Sequence, residues 1–495
     1  VDGDHPRELA QVDVVKKAAF KLQPVLELRR TQERAAAVAA AQAPGALAAD
    51  VEASPALKPA FRTSIPDYTV RCRDGERVRL EIEPPDGEPF TRSVDLAPGR
   101  AAAVRLRFAE GTRRYRIRCL PEDFPNWRTH RYGTPQAGWY LVTPNKSEGA
   151  GYAAIFDSHG VPVWWIRRTP APFAADLLPN GNLVWTNYVA LSPVSDRFVE
   201  WTLAGRRKRS FGTVGPSTNQ HDFQLLPNGN ALMLTYPARD HVDLRAFGGP
   251  ADATVLDGEI QEVDPTGKLV WRWSSRDHVK LAEADRWIRN QIAHPVIRKF
   301  DGTPVYDLVH INALEPNGSR LLFSARYLDA AYAIDRRSGA IRWKLGGTRT
   351  PRSLTIADDP LAKVDFGGPH DVRQPRPGLV TIYDNGALRD RDPRALAFRL
   401  DLAGRRAELV RDVRFPRVGR SVCCGSARLL PERNWVVSWG NTPWVTEQTW
   451  GGEPVLAIEF RPADDELASY RAVPVMPGTL TRDRLHTAMR AMYGG

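Results

Sequence analysis

Three of the ten histidines occupy the same position in an internal repeat. Eight residues separate each of them from the glycine of a turn: His221 from Gly229, His310 from Gly318, and His370 from Gly378. A neutral imidazole is a competent nucleophile near pH 7. A second imidazole can exchange protons with a reacting oxygen. Three imidazoles in one phase of a repeat therefore predict a catalytic site.

Polar residues close to His310 extend this set. Asn312 lies two residues further on, on the same strand face, and is expected to face the same cavity. Arg326 and Tyr327 follow in the segment FSARYLD. A guanidinium is a permanently charged fork that binds a sulfate-like oxyanion well. Arg326 is therefore the candidate anion receptor.

Other residues near the histidines are given supporting roles. Asp222 and Asp371 directly follow His221 and His370, so they are expected on the opposite strand face as packing acceptors. Aromatic side chains predicted near the same end are candidates for stacking on an aromatic ligand. They are Trp185, Tyr327 and Trp444.

The repeat that carries the histidines consists of two β-hairpins. The first has a turn of the Pro-Asn-Gly type, as in QHDFQLLPNGNALML, HINALEPNGSRLLFSAR, FAADLLPNGNLVWTN and SARLLPERNWVVSWG. The second follows the pattern Asp-x-x-Gly-x-x-x-Trp, as in QEVDPTGKLVWRW. Units start near residues 138, 171, 219, 308, 368 and 422. Four-stranded units repeated in this way predict a six-bladed β-propeller; a solenoid or two sandwiches are the alternatives.

A propeller places the histidines together. The first strand of each blade lines the central channel, so the three imidazoles are expected at one mouth of it. The third unit contains a long insertion, SSRDHVKLAEADRWIRNQIAHP, which predicts a helix near residues 276 to 296.

The sequence divides into three parts, with an all-β fold overall. Residues 1–60 are predicted to form a helical arm, to about residue 42, followed by an Ala/Pro linker. Residues 61–125 alternate as a small antiparallel β-sandwich does, and residues 126–495 are the propeller.

The four cysteines form two candidate pairs. Cys72 and Cys119 lie in strand-like runs at opposite ends of the predicted sandwich, and a disulfide between them would staple it. Cys423 and Cys424 are adjacent, and either a vicinal disulfide or two thiols is compatible with the sequence.

Composition restricts the class of partner. The net charge of +11 accompanies a chain rich in Arg, Ala and Pro, without a basic tract interleaved with aromatics, so nucleic-acid binding is not expected. No apolar run approaches the roughly 20 residues of a membrane span. An even cysteine count and a start at Val1, which suggests a removed leader, favour an exported protein.

Four segments resemble the bacterial arylsulfotransferase family, whose members transfer a sulfuryl group between phenols without a nucleotide. They are Gln220-His221-Asp222, Val309-His310-Ile311-Asn312, Ser324-Ala325-Arg326-Tyr327 and Gly368-Pro369-His370-Asp371. The resemblance extends from Gly138 to near the C-terminus. Consistent with it, the chain lacks a Gly-rich phosphate loop.

The resemblance implies an exported six-bladed propeller with aryl sulfate donors, phenolic acceptors and no cofactor. It implies a ping-pong reaction in which His370 carries the sulfuryl group, while His221, His310, Asn312 and Arg326 contact the sulfate. The chain departs from the family pattern in its adjacent cysteines and in its first sixty residues. The first departure leaves oxidative maturation open, and the second leaves open a possible homo-oligomer.

Two other functions fit the same residues. Three imidazoles are a good ligand set for zinc or copper, although Arg326 would repel a cation. Propellers are also common non-catalytic binding modules, here of an extracellular assembly. Metal analysis tests the first alternative, and sulfuryl transfer from p-nitrophenyl sulfate to a phenol tests the second.

Overall fold

The computed structural model describes residues 49–494 except 74, 85–86, 146–148, 188–196, 300, 362–365 and 462–466. The predicted helical arm lies outside the described residues. The described part is dominated by antiparallel β-sheets, so the all-β fold class is confirmed. None of its helices is long and apolar enough to span a membrane.

An N-terminal module consists of two three-stranded sheets that share one apolar core. The strands of the first sheet, in spatial order, are Asp50–Ser54, Arg77–Glu83 and Phe90–Asp95. Those of the second are Asp67–Arg71, Gly111–Leu120 and Ala101–Phe108. Strict alternation in Arg77–Glu83 buries Val78, Leu80 and Ile82 against the second sheet. The predicted Cys72–Cys119 disulfide is present in this core.

Two details of this module differ from the sequence predictions. Asp50–Ser54 forms a strand inside the stretch predicted as a linker, because Val51 is buried in the module core. Asp67–Arg71 pairs in parallel with Gly111–Leu120, whereas an antiparallel sandwich was expected. The long connection between these two strands makes a parallel pairing possible.

The rest of the chain forms a series of larger sheets, numbered here from 1 to 6 with the innermost strand first. Sheet 1 contains Ala468–Val475, Trp139–Asn145, Gly151–Asp157 and Pro162–Arg168. Sheet 2 contains Pro172–Leu177, Leu183–Asn187, Phe198–Trp201 and Arg207–Phe211. Sheet 3 contains Thr218–Leu225, Ala231–Thr235, Glu259–Val263 and Leu269–Ser274.

The other three sheets follow in chain order. Sheet 4 contains Ile311–Asn317, Arg320–Ala325, Ala330–Asp335 and Ile341–Gly346. Sheet 5 contains His370–Arg376, Leu379–Asp384, Arg394–Asp401, Arg406–Val413 and Thr355–Ala357. Sheet 6 contains Ser426–Leu429, Trp435–Ser438, Trp444–Gln448, Pro454–Phe460 and Trp127–Arg131.

The innermost strands of these sheets contact one another in sequence. Each touches the innermost strand of the next sheet, and Ala468–Val475 touches those of both sheet 2 and sheet 6. That strand comes from the C-terminal end of the chain and pairs with Trp139–Asn145, near the start of the repeats. The second strand of a sheet is also covered on both faces. Ala231–Thr235 of sheet 3 is therefore buried at every position, without alternation.

The turns of the first hairpins explain the glycine periodicity. Gly181, Gly229, Gly318 and Gly378 all have positive φ, where a side chain is disfavoured. In sheet 6 the corresponding segment PERN places Arg433 at φ 76° instead.

The insertion in the third unit contains the predicted helix, in a shorter form. The helix extends over Asp285–Ala293, after 3-10 turns at Ser275–Asp277 and Leu281–Ala284. A small sheet accompanies it, formed by Ala238–Val242, Ala253–Leu256, Pro304–Asp307 and Ile297–Arg298, and a further turn lies at Arg245–Phe247.

A C-terminal helix, Arg482–Tyr493, was not expected from the sequence. The hydroxyl of Thr481 caps it by accepting a hydrogen bond from the backbone N–H of Arg484. Leu485 and Met489 pack in the core of sheet 1. His486 contacts Asp67 at 2.8 Å, so the helix connects the N-terminal module to the repeats.

Candidate functional site

His221 and His310 are in direct contact. Their Nε2 atoms lie 3.1 Å apart, and the rings meet at 72° with centroids 4.5 Å apart. His221 belongs to the innermost strand of sheet 3, and His310 immediately precedes that of sheet 4. Neighbouring repeats therefore bring these two imidazoles together at one end of their sheets.

Asp307 orients His310. Its Oδ2 lies 2.6 Å from His310 Nδ1, and its Oδ1 accepts the backbone N–H of His310 at 3.1 Å. This tight local contact accompanies a φ of 53° at His310, in the left-handed region. A strained backbone at a functional residue persists only where its surroundings hold it.

Asn219 orients His221 in a similar way. Its side-chain oxygen lies 2.6 Å from His221 Nδ1 and accepts the backbone N–H of His221 at 3.0 Å. Tyr236 packs against both rings, with centroids 6.1 Å from His221 and 5.7 Å from His310.

His370 begins the innermost strand of sheet 5 and is almost completely buried. Its Nδ1 lies 2.9 Å from the carbonyl oxygen of Gly368, and its Nε2 accepts the backbone N–H of Cys424 at 3.2 Å. A carbonyl oxygen only accepts hydrogen bonds, so the proton of the neutral ring is on Nδ1. The lone pair is therefore on Nε2, the atom that can act as a nucleophile.

Arg326 connects the histidines of sheets 3 and 4 to the segment that contacts His370. Its Nη1 donates to the hydroxyl of Tyr327 at 2.8 Å, and its Nη2 donates to the carbonyl oxygen of Val422 at 2.7 Å. Its buried Nε has no hydrogen-bond partner among the described residues. A guanidinium with a buried, unused donor is suited to an oxyanion.

The three imidazoles share one electrostatic environment. Burial lowers the pKa of each well below 6.5. The positive charge of Arg326 lowers the pKa of all three further, and a charge on His310 would lower those of His221 and His370. The histidines are therefore neutral near pH 7, as a nucleophile and proton carriers must be.

Only one of the three proposed stacking residues lies beside the histidines. The ring centroid of Tyr327 is 4.7 Å from that of His310. Trp185 stacks on Trp201 within sheet 2, and Trp444 of sheet 6 packs on Phe415, which follows the strand Arg406–Val413 of sheet 5.

Trp287, on the inserted helix, lies at the site instead. Its ring centroid is 4.7 Å from that of Tyr327, and it lies 5.1 Å from the Arg326 guanidinium carbon. The sequence pattern predicts this helix but indicates no function for it, since nothing in the pattern shows which neighbour an insertion covers.

Asn312 lies between sheets 4 and 5, completely buried. Its amide nitrogen donates to the carbonyl oxygen of Pro369 at 2.9 Å, and its side-chain oxygen accepts the hydroxyl of Ser324 at 2.6 Å. It thus supports the backbone next to His370.

Asp222 and Asp371 point away from the imidazoles into a buried ionic cluster. Asp222 accepts from the backbone N–H of Leu314 in the next sheet at 2.6 Å, and Asp371 from that of Ala427 at 3.1 Å. Three guanidiniums complete the cluster: Arg373, Arg428 and Arg471. Their contacts join sheets 1, 3, 5 and 6.

The cysteine pair is the other feature beside His370. Cys423 and Cys424 are free thiols with their sulfur atoms 2.7 Å apart. The hydrogen bond from Cys424 lowers the pKa of Cys423 to about 7, and the charge of Arg326 lowers it too. The same pairing raises the pKa of Cys424 well above its usual value.

Asp307 and Asn219 were not among the site residues predicted from the sequence. The sequence contains a spacing that could have indicated them. Each lies two or three residues before a histidine of the repeat, and an Asn or Asp side chain at that distance can accept the backbone N–H of the histidine. Among the described residues no group of three or more His, Cys, Asp or Glu side chains has a metal-ligating arrangement.

Several solved structures share a low overall similarity with this chain. A protein of unknown function from Bacteroides caccae is 13% identical, with 68% of this chain and 99% of that one covered and a TM-score of 0.39. A streptogramin B lyase is 11% identical over 85% of this chain and 100% of that one, at a TM-score of 0.30. A calcium-binding regucalcin from Agrobacterium tumefaciens is 13% identical over 58% and 73%, at 0.31.

Comparison with protein families is more informative. No curated protein matches the chain. The family model described as Arylsulfotransferase (ASST) matches residues 195–461, more than half of the chain. The matched region includes the three histidines of the site, Arg326 and the pair Cys423 and Cys424. The chain therefore belongs to the arylsulfotransferase family.

Proposed function

We propose that this protein transfers a sulfuryl group from an aryl sulfate donor to a phenolic acceptor by a ping-pong mechanism. Residues 126–495 form the catalytic domain, a six-bladed propeller that Ala468–Val475 closes by completing sheet 1. The Cys72–Cys119 disulfide suits an oxidising compartment, which fits an exported enzyme.

The observation that carries the proposal is the combination of His370 and Arg326. His370 has a lone pair on Nε2, and Arg326 has a buried donor without a partner among the described residues. The backbone N–H of Cys424, which contacts Nε2, is a further donor for a non-bridging sulfate oxygen. A nucleophile among oxyanion donors is the requirement of group transfer through a loose, charged transition state.

In the first half-reaction, Nε2 of His370 attacks the sulfur atom and the sulfur–aryl oxygen bond breaks. Its electron pair leaves with the phenolate, which takes a proton from an imidazole of the His221–His310 pair. Nδ1 keeps its proton, and the carbonyl oxygen of Gly368 stabilises the positive ring of the sulfohistidine.

In the second half-reaction, a phenolic acceptor replaces the departed phenol. It loses its proton to the same imidazole pair, its oxygen attacks sulfur, and the nitrogen–sulfur bond breaks with its electrons returning to Nε2. Arg326 would contact the sulfuryl oxygens, and Tyr327 would stack on the aryl ring. Asn312 would hold the backbone next to His370 in place through its bond to the carbonyl oxygen of Pro369. A covalent carrier lets both phenols use one aromatic subsite in turn.

The test is incubation with p-nitrophenyl sulfate, first alone and then with a phenol acceptor. We expect p-nitrophenolate release, an acid-labile mass increase of one sulfuryl group on the peptide with Gly368-Pro369-His370, and its loss when acceptor is added. His370→Ala should abolish both the adduct and transfer. His241→Ala, which changes an exposed histidine of the strand Ala238–Val242, is the control. Near-normal transfer by His370→Ala, or an adduct on another histidine, would show that the nucleophile is wrongly assigned.

A further inference from the structure

We propose that Asp307 and His310 form a two-proton pair that delivers a proton from His310 Nε2 to the departing phenolate and recovers one from the acceptor. This inference rests on the proposed function and names the acid–base group within it. It assigns Asp307 as a positioning residue that also holds the second proton.

The directions of three hydrogen bonds define this pair. The bonds join Asn219 Oδ1 and His221 Nδ1 (2.6 Å), His221 Nε2 and His310 Nε2 (3.1 Å), and His310 Nδ1 and Asp307 Oδ2 (2.6 Å). Each bond needs one proton between its two atoms. The position of one proton therefore determines the others.

Asn219 determines which atom donates in each of the three hydrogen bonds. The atom that contacts His221 Nδ1 also accepts the backbone N–H of His221, and a backbone N–H can only donate. That atom is consequently the amide oxygen, so His221 Nδ1 carries a proton. Because His221 is neutral, its Nε2 is an acceptor, and the proton between the two imidazoles belongs to His310 Nε2.

The bond between His310 and Asp307 contains the second proton. A neutral His310 that is protonated on Nε2 has a lone pair on Nδ1, so Asp307 Oδ2 must be the donor there. If the proton shifts to Nδ1, the pair becomes an imidazolium and a carboxylate. Both forms hold two protons and have no net charge, which distinguishes this pair from a carboxylate that merely orients a singly protonated histidine.

The surroundings of Asp307 favour this arrangement. The carboxyl is buried, and burial raises its pKa to about 7. The inserted helix contacts the backbone of Asp307 through a neutral amide, since Gln291 accepts the Asp307 backbone N–H at 2.8 Å and donates to the Asp307 backbone carbonyl oxygen at 2.7 Å. The titratable groups facing the pair from other elements are His221, Tyr236, Arg326, Tyr327 and His370.

Both protons of the pair are accounted for when one is delivered to the phenolate. The Nε2 proton of His310 moves to the phenolate oxygen, and the Asp307 Oδ2 proton moves to His310 Nδ1. Asp307 ends as a carboxylate, stabilised by the backbone N–H groups of Val309 and His310 and by the charge of Arg326. His310 ends neutral with a lone pair on Nε2, ready to remove the acceptor's proton, which reverses both transfers.

The experiment compares two sulfuryl donors. The phenolate that leaves from the first needs protonation, and the phenolate that leaves from the second needs it less. In Asp307→Asn the amide still donates to His310 Nδ1 but has no proton to release. We expect phenol release from phenyl sulfate to fall by about 10²-fold or more, the usual contribution of a general acid. Release of the more stable p-nitrophenolate should fall about tenfold or less, since that leaving group depends less on protonation. Asp257→Asn changes a buried aspartate that directly follows the strand Ala253–Leu256 and pairs with Arg239, and this matched control should retain both rates.

The pH profile supplies a second readout. With phenyl sulfate, kcat should decline above a pH of about 7, as Asp307 loses the second proton. Asp307→Asn should lose that limb. Spectra of histidine labelled with ¹⁵N should show a proton on His310 Nε2 at a pH well below 7, where the pair holds both protons, and this result is independent of turnover.

The outcomes separate this inference from the proposed function. Equal losses with both donors in Asp307→Asn, or a His310 Nε2 without a proton, would overturn the proton pair while transfer by the wild type continues. A wild-type protein that releases phenol from no aryl sulfate and gains no sulfuryl group would overturn the proposed function itself.

Discussion

The backbone N–H of Cys424 donates to Nε2 of His370 across 3.2 Å. One residue of the free thiol pair is therefore in hydrogen-bond contact with the nitrogen that we propose as the nucleophile. Sheet 6 thus completes a site whose histidines come from sheets 3, 4 and 5. Chemical modification of these thiols is therefore expected to change the activity of the site.

Alkylation of Cys423 should inactivate the protein. Its pKa of about 7 gives a substantial thiolate fraction at neutral pH, so the rate of reaction with iodoacetamide should rise as the pH increases through about 7. Saturating aryl sulfate should slow the reaction by occupying the site. Peptide mass mapping would identify the modified residue.

Cys423→Ala is the control for that measurement, and it should resist inactivation by the same reagent. Rapid loss of activity in this variant would place the sensitive group elsewhere.

Arg326→Ala should reduce transfer without abolishing it. The guanidinium stabilises negative charge on the sulfuryl oxygens, and removal of one such donor costs about 10² to 10³ in kcat. His370→Ala removes the nucleophile, so its residual rate should be far lower. Steady-state kinetics with p-nitrophenyl sulfate would compare the two.

Arg326→Lys tests whether charge alone suffices at this position. We expect only partial recovery, because an ammonium cannot reproduce the two contacts to Tyr327 and Val422. Full activity of Arg326→Lys would show that charge alone suffices, whereas full activity of Arg326→Ala would remove this residue from the proposed site.

Asp371→Ala should destabilise the repeats strongly. Removal of one partner from a buried ionic cluster leaves uncompensated charge and costs about 3–5 kcal/mol in the free energy of unfolding. Asp390→Ala, which breaks the exposed pair with Arg420, should cost about 1 kcal/mol or less. Denaturant titrations would measure both changes.

The same carboxylate contributes to acid sensitivity. Arg373 and Arg428 oppose the effect of burial and hold the pKa of Asp371 at about 2, below its value of about 4 in an unfolded chain. Its contribution to stability is therefore present above pH about 4 and is lost as the pH falls toward about 2. Asp371→Ala should show a shallower loss of stability across this window, and an unchanged slope would contradict the assignment.

Loss of the Cys72–Cys119 disulfide should weaken the N-terminal module. The bridge connects cysteines 47 residues apart in sequence, and loops of such length correspond to about 3–4 kcal/mol. A Cys72→Ala/Cys119→Ala double variant should unfold that module at lower denaturant concentration. Sulfuryl transfer should persist where the repeats stay folded, because the disulfide is remote in sequence from His221, His310 and His370. A non-reduced digest of the wild type that lacks the linked peptides would contradict the bridge.

The sequence alone determined the elements that local chemistry dictates. Turn glycines at positive φ, alternating strands and tryptophan-bearing second hairpins repeat visibly, so the all-β class and the phase of the three histidines followed from periodicity. The Cys72–Cys119 pairing followed from the position of both residues in strands of one small module. The helix in the third unit was also predicted, although the structure limits it to Asp285–Ala293.

Tertiary structure decided which side chains meet across sheets. The contact of His221 with His310, the approach of Cys424 to His370, and Trp287 beside Tyr327 join residues far apart in sequence. Periodicity places a residue on a face but does not show which residues of neighbouring repeats reach it. Asp307 shows the same limit within a short segment. Its spacing in the sequence permits a contact with His310, but only its burial in the folded protein raises its pKa to about 7.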